Sequence, residues 1–216
     1  MTKLLHLIIS PRAEESESRR ITQTFVDAYV EANPETEVDT HDLWADPVPT
    51  FDGDRVAAKM TVIGGETPSG AQATKWDSVE ATFNRFAAAD LYVIGVPMYN
   101  HGIPWILKHY IDTITQPGLL FGIDPEKGYF GLLENKKAVV AYTSGIYAPG
   151  RQAQWGTDFQ SSYFNDWLKF GGVSEVHEIR FQPTLFPIGG TPDERRPDAL
   201  DEARSLAIKL QAEEGE

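Results

Sequence analysis

The run Leu91-Tyr92-Val93-Ile94-Gly95-Val96-Pro97 is apolar throughout, and it breaks abruptly into Met98-Tyr99-Asn100-His101-Gly102-Ile103-Pro104. A short, uniformly apolar stretch is the pattern of a strand buried on both faces, as in a parallel sheet with helices on either side. Behind Pro104, the spacing of Trp105, Ile106, Tyr110, Ile111 and Ile114 predicts an amphipathic helix. Buried strand, polar and aromatic loop, then helix: this succession is a βα corner. Ligands of open α/β sheets bind outside the carboxyl ends of such strands. The loop from Pro97 to His101 is therefore expected to hold the flat ring of a bound cofactor.

The rest of the chain repeats that alternation. Residues 3–9 read as a buried strand, followed by a serine-rich loop over 10–18 and a helix with Ile21, Phe25, Val26, Tyr29 and Val30 on one face, ending near Asn33-Pro34. A second strand is expected over 37–41. The segment 42–74 is a long connection with some helix around Gly53–Met60, a length that points to a functional loop. Trp76, Val79, Phe83 and Phe86 mark the next helix. After the helix that starts at Pro104 and reaches about Thr115 comes an excursion of glycines and aromatics, then a fourth strand over 138–142. A helix over 157–170 is expected to bury Phe159, Tyr163, Trp167 and Phe170 and to stop at Gly171-Gly172. A fifth strand over 174–181, a Pro/Gly loop over 182–197 and a last helix over 198–212 complete the chain. Five strands alternating with helices predict an α/β fold, a five-stranded parallel sheet with helices on both faces, in one domain over 1–216. A strand order 2-1-3-4-5 would bring the exits of strands 1, 3 and 4 around one crevice.

Charge narrows the classes of partner. Lys and Arg number 19 against 32 Asp and Glu, a formal charge of -13, which argues against a phosphate-neutralising surface for DNA or RNA. The chain has no cysteine, so disulfides and thiolate chemistry are excluded, and a reducing compartment fits. No apolar run approaches the ~20 residues needed to cross a bilayer, and the start of the chain does not read as a signal peptide. A cytoplasmic protein without membrane contact is expected. The five histidines (6, 41, 101, 109, 177) are scattered without ligand spacing, so no metal site is expected. Walker A, G-x-G-x-x-G and G-x-S-x-G patterns are all missing from the sequence.

Each of the three loops has two readings. Ser10, Ser16 and Ser18 could form an anion pocket with the free N–H groups of a helix start; equally, Ser16 or Ser18 could simply cap that helix. Glu14, Glu15 and Glu17 oppose an anion there, and Arg12 and Arg19 could offset them. Met98, Tyr99 and Asn100 offer an apolar sulfur, an aromatic face and an amide; the plainer alternative is a tight turn with Asn100 and Gly102 chosen for backbone conformation. Thr143-Ser144-Gly145 would let backbone N–H groups approach a planar ligand, or would be an ordinary connection.

Pro97-Met98-Tyr99-Asn100 followed by Ile103-Pro104, Leu107-Lys108, Tyr110-Ile111-Asp112, Gly118 and Phe121 resembles the signature of the FMN-dependent NADH azoreductases, which belong to the flavodoxin-like quinone reductases. The resemblance extends to Asp42-Leu43, Pro47-Val48-Pro49, Gly131-Leu132, Lys136-Lys137-Ala138 and Gly171-Gly172-Val173. It implies a flavodoxin-like fold and a homodimer with one FMN per protomer. It further implies two-step transfer of electrons from NADH or NADPH to a quinone or azo compound, with a flavodoxin-type electron carrier as the competing class. Carried over residue by residue, Ser10, Ser16, Glu17 and Ser18 would surround the phosphate. Pro97, Met98, Tyr99, Asn100 and His101 would line the flavin ring, and Thr143, Ser144 and Gly145 its polar edge. Phe121 and Trp167 would contact substrate, while Tyr99, His101 and Tyr147 are candidates to assist protonation. The family often has an aromatic where His101 stands, and its strand-4 loop usually reads Ser-Arg-Gly-Gly; Tyr142-Thr143-Ser144-Gly145 lacks that Arg.

Overall fold

The structure, a computed structural model, describes residues 1–185, 187–188 and 190–214. In chain order its elements are β1 (Lys3–Ile8), α1 (Glu17–Ala32), β2 (Glu37–Asp42), α2 (Gly53–Ile63), α3 (Ala71–Ala87), β3 (Leu91–Pro97) and α4 (Trp105–Ile114). There follow β4 (Phe121–Asp124), β5 (Gly128–Gly131), β6 (Lys136–Thr143), α5 (Ser161–Gly171), β7 (Val173–Phe181) and α6 (Pro192–Glu214). The strands β2-β1-β3-β6-β7 pair in that order, all parallel, which is the expected 2-1-3-4-5 sheet.

Alternation along each strand sorts the core into two layers. Leu4, Val93, Val139 and Ala141 pack with Ile21, Phe25 and Tyr29 of α1 and Ala203, Ala207 and Leu210 of α6. Leu5, Leu7, Ile94, Val96, Val140 and Tyr142 face the other way, onto Phe86 of α3, Leu107 and Ile111 of α4 and Phe164, Trp167 and Leu168 of α5. Helices therefore cover both faces, and the parallel register aligns all five carboxyl ends at one rim.

Four expectations need correction. The excursion after α4 holds an antiparallel hairpin, Phe121 to Gly131 and Asp124 to Gly128 in register, whose four-residue strands are too short to show a period. The last helix begins at Pro192 rather than 198. Thr191 Oγ1 accepts from the Glu194 N–H (3.3 Å) while the Glu194 carboxylate accepts from the Thr191 N–H (2.8 Å), a reciprocal cap with proline at the first helical position. Of the loop expected over 182–197, Phe186 and Gly189 lie outside the described residues. The helix expected over 157–170 starts at Ser161 and buries Phe164, Trp167 and Leu168; Phe159 is 61% and Tyr163 37% exposed. Trp105, expected on the buried stripe of α4, is 63% exposed; it opens the first turn of the helix and meets Trp44 edge-on. Gly172 ends α5 in the left-handed conformation, φ 101°.

Candidate functional site

The rim carries a cleft of about 250 Å³ lined by Ser10, Arg12, Ser16, Glu17, Ser18, Pro97, Met98, Tyr99, Thr143, Ser144, Gly145, Thr184 and Leu185. Its floor at one end is the first turn of α1. Ser16 caps that helix, its hydroxyl accepting from the Arg19 N–H at 3.2 Å and lying 3.2 Å from the Ser18 hydroxyl. The N–H groups of Glu17 and Ser18 have no acceptor among the described residues, as the geometry of a helix start requires. Capping and anion binding are thus compatible: one serine satisfies a donor further along the helix, and two donors remain directed outward with the positive end of the helix dipole. Gly95 makes the approach possible. A Cβ there would lie 3.0 Å from the Ser18 carbonyl oxygen, so a side chain would push the helix start off β3.

The three acidic residues of this loop are each matched. Glu14 pairs with Arg19 at 3.6 Å and Glu15 with Arg12 at 3.7 Å. The Glu17 carboxylate, 15% exposed, receives Arg196 of α6 through both oxygens at 2.7–3.0 Å and Arg20 at 3.3 Å. Glu17 thus meets the cleft with its backbone donor while its charge is held by α6.

At the other end, Met98 N–H donates to Thr143 carbonyl (2.7 Å), tying the exits of β3 and β6 together. Tyr99 and Gly102 exchange backbone bonds at 2.9 and 3.0 Å, and between them Asn100 and His101 take φ of 50° and 69°. Positive φ at both central residues defines a type I′ turn, a conformation that is uncommon without glycine and that clusters at functional sites. The turn residues serve backbone geometry and still present side chains outward. His101 Nδ1 accepts from the Thr157 N–H (3.3 Å) and its carbonyl from the Phe159 N–H (3.0 Å), fastening the segment before α5 over this corner.

Below the loops lies buried Gln160. Its amide donates to the Val96 carbonyl (2.7 Å) and the Thr143 carbonyl (3.3 Å), and its oxygen accepts from Gln182 (3.1 Å). Thr184 and Leu185 N–H groups donate to Ser144 and Gly145 carbonyls at 2.7 and 3.0 Å, closing the cleft on the β7 side. Two further clefts adjoin. One of about 500 Å³ is lined by Met98, Asn100, His101, Ser144, Tyr147, Trp155 and Leu185, among others. The other, about 900 Å³, is walled by Tyr99, Asn100, Ile103, Trp105, Phe159 and Tyr163. Burial and the nearby Asp158 carboxylate push the Tyr147 phenol above its ordinary range. Asp158 stays below the usual carboxylate range: burial raises it, but the Ser161 hydroxyl and N–H and the Arg180 guanidinium outweigh that.

All twelve residues expected around a cofactor line this cleft or the one beside it. The two expected at substrate do not lie there. Trp167 is buried, stacked on Phe164 at 5.5 Å with its Nε1 donating to Thr115 Oγ1 at 2.9 Å; it is core. Phe121 packs on Phe170 and Tyr129 in the hairpin and lines none of these clefts. Sequence reasoning passed over Gly95, Gln160, Thr184, Leu185 and Arg196. Only Gly95 carried a signal, a glycine inside a run of branched residues.

A family model described as flavodoxin-like fold matches residues 2–207. The chain belongs to this flavodoxin-like family. Within it, an FMN-dependent NADH:quinone oxidoreductase of Ruegeria pomeroyi is 49% identical over 187 residues, 86% of this chain and 91% of that one. A protein of the same name from Desulfotalea psychrophila is 38% identical over 213 residues, 99% and 98% of the two chains. Among solved structures, an azoreductase from Bacillus anthracis superposes with a TM-score of 0.86 at 26% identity, covering 97% of this chain and all of that one. The flavodoxin-like relatives thus span the chain, including all three loops at the rim.

Proposed function

We propose that this chain is an FMN-dependent oxidoreductase that draws two electrons from NADH and passes them to a quinone or azo acceptor. The observation that carries the reading is the convergence of the loops after β1, β3 and β6 on one cleft, with a helix start at one end and an aromatic turn at the other. The donors fit the cofactor. Free N–H groups of Glu17 and Ser18 with the hydroxyls of Ser10, Ser16 and Ser18 suit a phosphate, and Pro97, Met98 and Tyr99 suit the face of a flat ring. Asn100, Thr143, Ser144 and Gly145 offer polar groups for its edge. Bound FMN would supply the two-electron redox chemistry, and the protein supplies binding, orientation and electrostatics.

The aromatic cleft of Tyr99, Ile103, Trp105, Phe159 and Tyr163 beside the turn suits a planar apolar acceptor. Its open side and the exposed hairpin residues Tyr129 and Phe130 support a homodimer, which sedimentation would reveal. No helix among the described residues is long and apolar enough to cross a membrane. A cytoplasmic location, without membrane or nucleic-acid partners, belongs to the same reading: a chain without cysteine fits a reducing compartment, and a charge of -13 argues against a phosphate-neutralising surface. Tyr99, His101 and Tyr147 border the clefts and remain the candidates to deliver a proton to the acceptor.

The test is spectroscopic. Purified protein should be yellow or turn so on FMN titration, and anaerobic mixing with NADH should bleach the flavin band directly. Protein that binds no FMN refutes the assignment. Bleaching that requires a separate reductase would favour the electron carrier instead.

A further inference from the structure

A carboxylate on the very residue whose N–H is offered to a phosphate is a conflict that this chain has to resolve. Glu17 sits at the first position of α1, its backbone N–H is one of the two free donors, and the residue lines the same cleft. A formal charge of -13 offers no general relief. Locally, however, four arginines (12, 19, 20 and 196) face four carboxylates (14, 15, 17 and 193) in pairs of 2.6 to 3.7 Å. Three of these arginines come from the loop and α1 itself. Arg196 comes from α6, 179 residues away in sequence.

The five pairs are not equivalent. Arg12–Glu15 and Arg19–Glu14 are loose, 3.7 and 3.6 Å, with the glutamates 82% and 91% exposed, and such pairs contribute little. Arg196 instead grips both oxygens of Glu17, Nε to each at 3.0 Å and Nη2 to one at 2.7 Å, with side chains only 23% and 15% exposed. This is the bidentate fork that arginine forms with carboxylates and lysine cannot. Asp193, one turn earlier on α6, holds the remaining Nη1 at 2.6 Å and fixes the guanidinium in place. The reciprocal cap between Thr191 and Glu194 starts α6 at the point that lets Arg196 reach Glu17.

We infer that Arg196 is a positioning residue for the cofactor phosphate: it neutralises and holds the Glu17 carboxylate so that a dianion can use the Glu17 and Ser18 N–H groups. The inference rests on the reading of this cleft as an FMN site. It concerns the phosphate alone. Binding of the ring, which depends on Met98, Tyr99 and the β6 loop, is independent of the clamp.

The experiment compares FMN with riboflavin, the same ring without phosphate, by fluorescence titration of the full chain freed of flavin. Arg196→Met is expected to weaken FMN on the order of tenfold, ~1.4 kcal/mol, and to leave riboflavin affinity unchanged. In the E17Q background the same substitution should cost less than twofold, because no carboxylate is left at position 17 to neutralise. E17Q alone should bind FMN at least as tightly as the parent, an outcome that decides the matter even if R196M fails to fold. Equal loss of FMN and riboflavin in R196M, no loss at all, or weaker FMN binding by E17Q would each overturn the inference. A parent chain that binds neither flavin fails the cofactor reading itself, and the clamp falls with it.

Discussion

Replacing Gly95 by alanine tests the approach of α1 to β3, on which the anion end of the cleft depends. The added Cβ would lie 3.0 Å from the Ser18 carbonyl oxygen, 3.1 Å from its carbonyl carbon and 3.3 Å from its Cβ. These fall a few tenths of an ångström inside the ~3.5–4.0 Å optimum for carbon contacts. The obstructing atoms are the backbone and Cβ of a helix, so no rotamer change relieves them. Strand neighbours give no freedom either, since Gly95 is in register with Ile8 of β1 and Ala141 of β6. The first turn of α1 must retreat. Overpacking of this kind costs ~1–3 kcal/mol, offset by ~0.5–1 kcal/mol because glycine loses more backbone entropy than alanine on folding. Stability should therefore fall by roughly 0.5–2 kcal/mol. The N–H groups of Glu17 and Ser18, proposed above to hold the phosphate, ride on the displaced turn. Hydrogen bonds to a charged group are worth ~1.5–3 kcal/mol, so forfeiting about half of one weakens FMN by roughly tenfold. Titration with FMN and riboflavin, together with thermal melts, would measure both effects. Were G95A to bind FMN and melt like the parent chain, the close-approach argument would be wrong.

Other substitutions separate structure from chemistry. His6 is buried against Thr22 Oγ1 at 2.8 Å, and burial, reinforced by Arg19, pushes its pKa down to about 4. The unfolded chain takes up that proton near 6.5 and the folded one only near 4. Stability is therefore full above ~6.5 and declines by about 3 kcal/mol as pH falls to ~4; urea titrations across that window should show the loss, and H6Q should flatten it. Gln160→Met removes the bonds to the Val96 and Thr143 carbonyls and strands Gln182, an expected cost of ~1–3 kcal/mol in chemical unfolding. Trp167→Phe loses the bond to Thr115 and some packing, so Tm should drop while KM for NADH and for the acceptor stays unchanged; a changed acceptor KM would return Trp167 to the substrate site.

The strands β1, β3 and β6 were legible because burial on both faces leaves runs of apolar residues that nothing else explains. Their alternation with helices implied a parallel sheet covered on both faces, but the pattern itself does not fix the strand order, which came with the flavodoxin-like resemblance. What stayed hidden had specific causes. The face of α5 was misjudged because its sequence carries two apolar stripes that share Trp167. Phe164 and Leu168 fill the core, whereas Phe159, just before the helix, and Tyr163 face the aromatic cleft, so the same hydrophobicity serves packing on one side and a pocket on the other. The start of α6 was misread because Pro197 suggests a break, while the reciprocal cap at Thr191 and Glu194 sets the true boundary and places Pro197 inside the helix. Around the site, the loop residues were visible as chemistry out of place. Their supports were not, since Gln160 and Arg196 act across 64 and 179 residues of sequence, distances over which only the fold supplies the contact.

The acidity of the chain bears on catalysis through the approach of its donor. A formal charge of -13 repels an anionic dinucleotide at long range, while the paired arginines and glutamates at the rim cancel only locally. The Debye length shrinks from ~30 Å at 0.01 M salt to ~8 Å at 0.15 M, so added salt removes the repulsion before it disturbs the short, half-buried Arg196–Glu17 pair. Encounter with NADH should accordingly speed up with ionic strength, raising kcat/KM for NADH several-fold between these two concentrations, as expected for like-charged partners. An uncharged quinone feels no such field, and its kcat/KM should stay flat over the same range. Steady-state kinetics with each substrate varied at saturating levels of the other separates the two. A fall in kcat/KM for NADH with salt would mean that a local positive site steers the dinucleotide, and that the net charge is irrelevant to its approach.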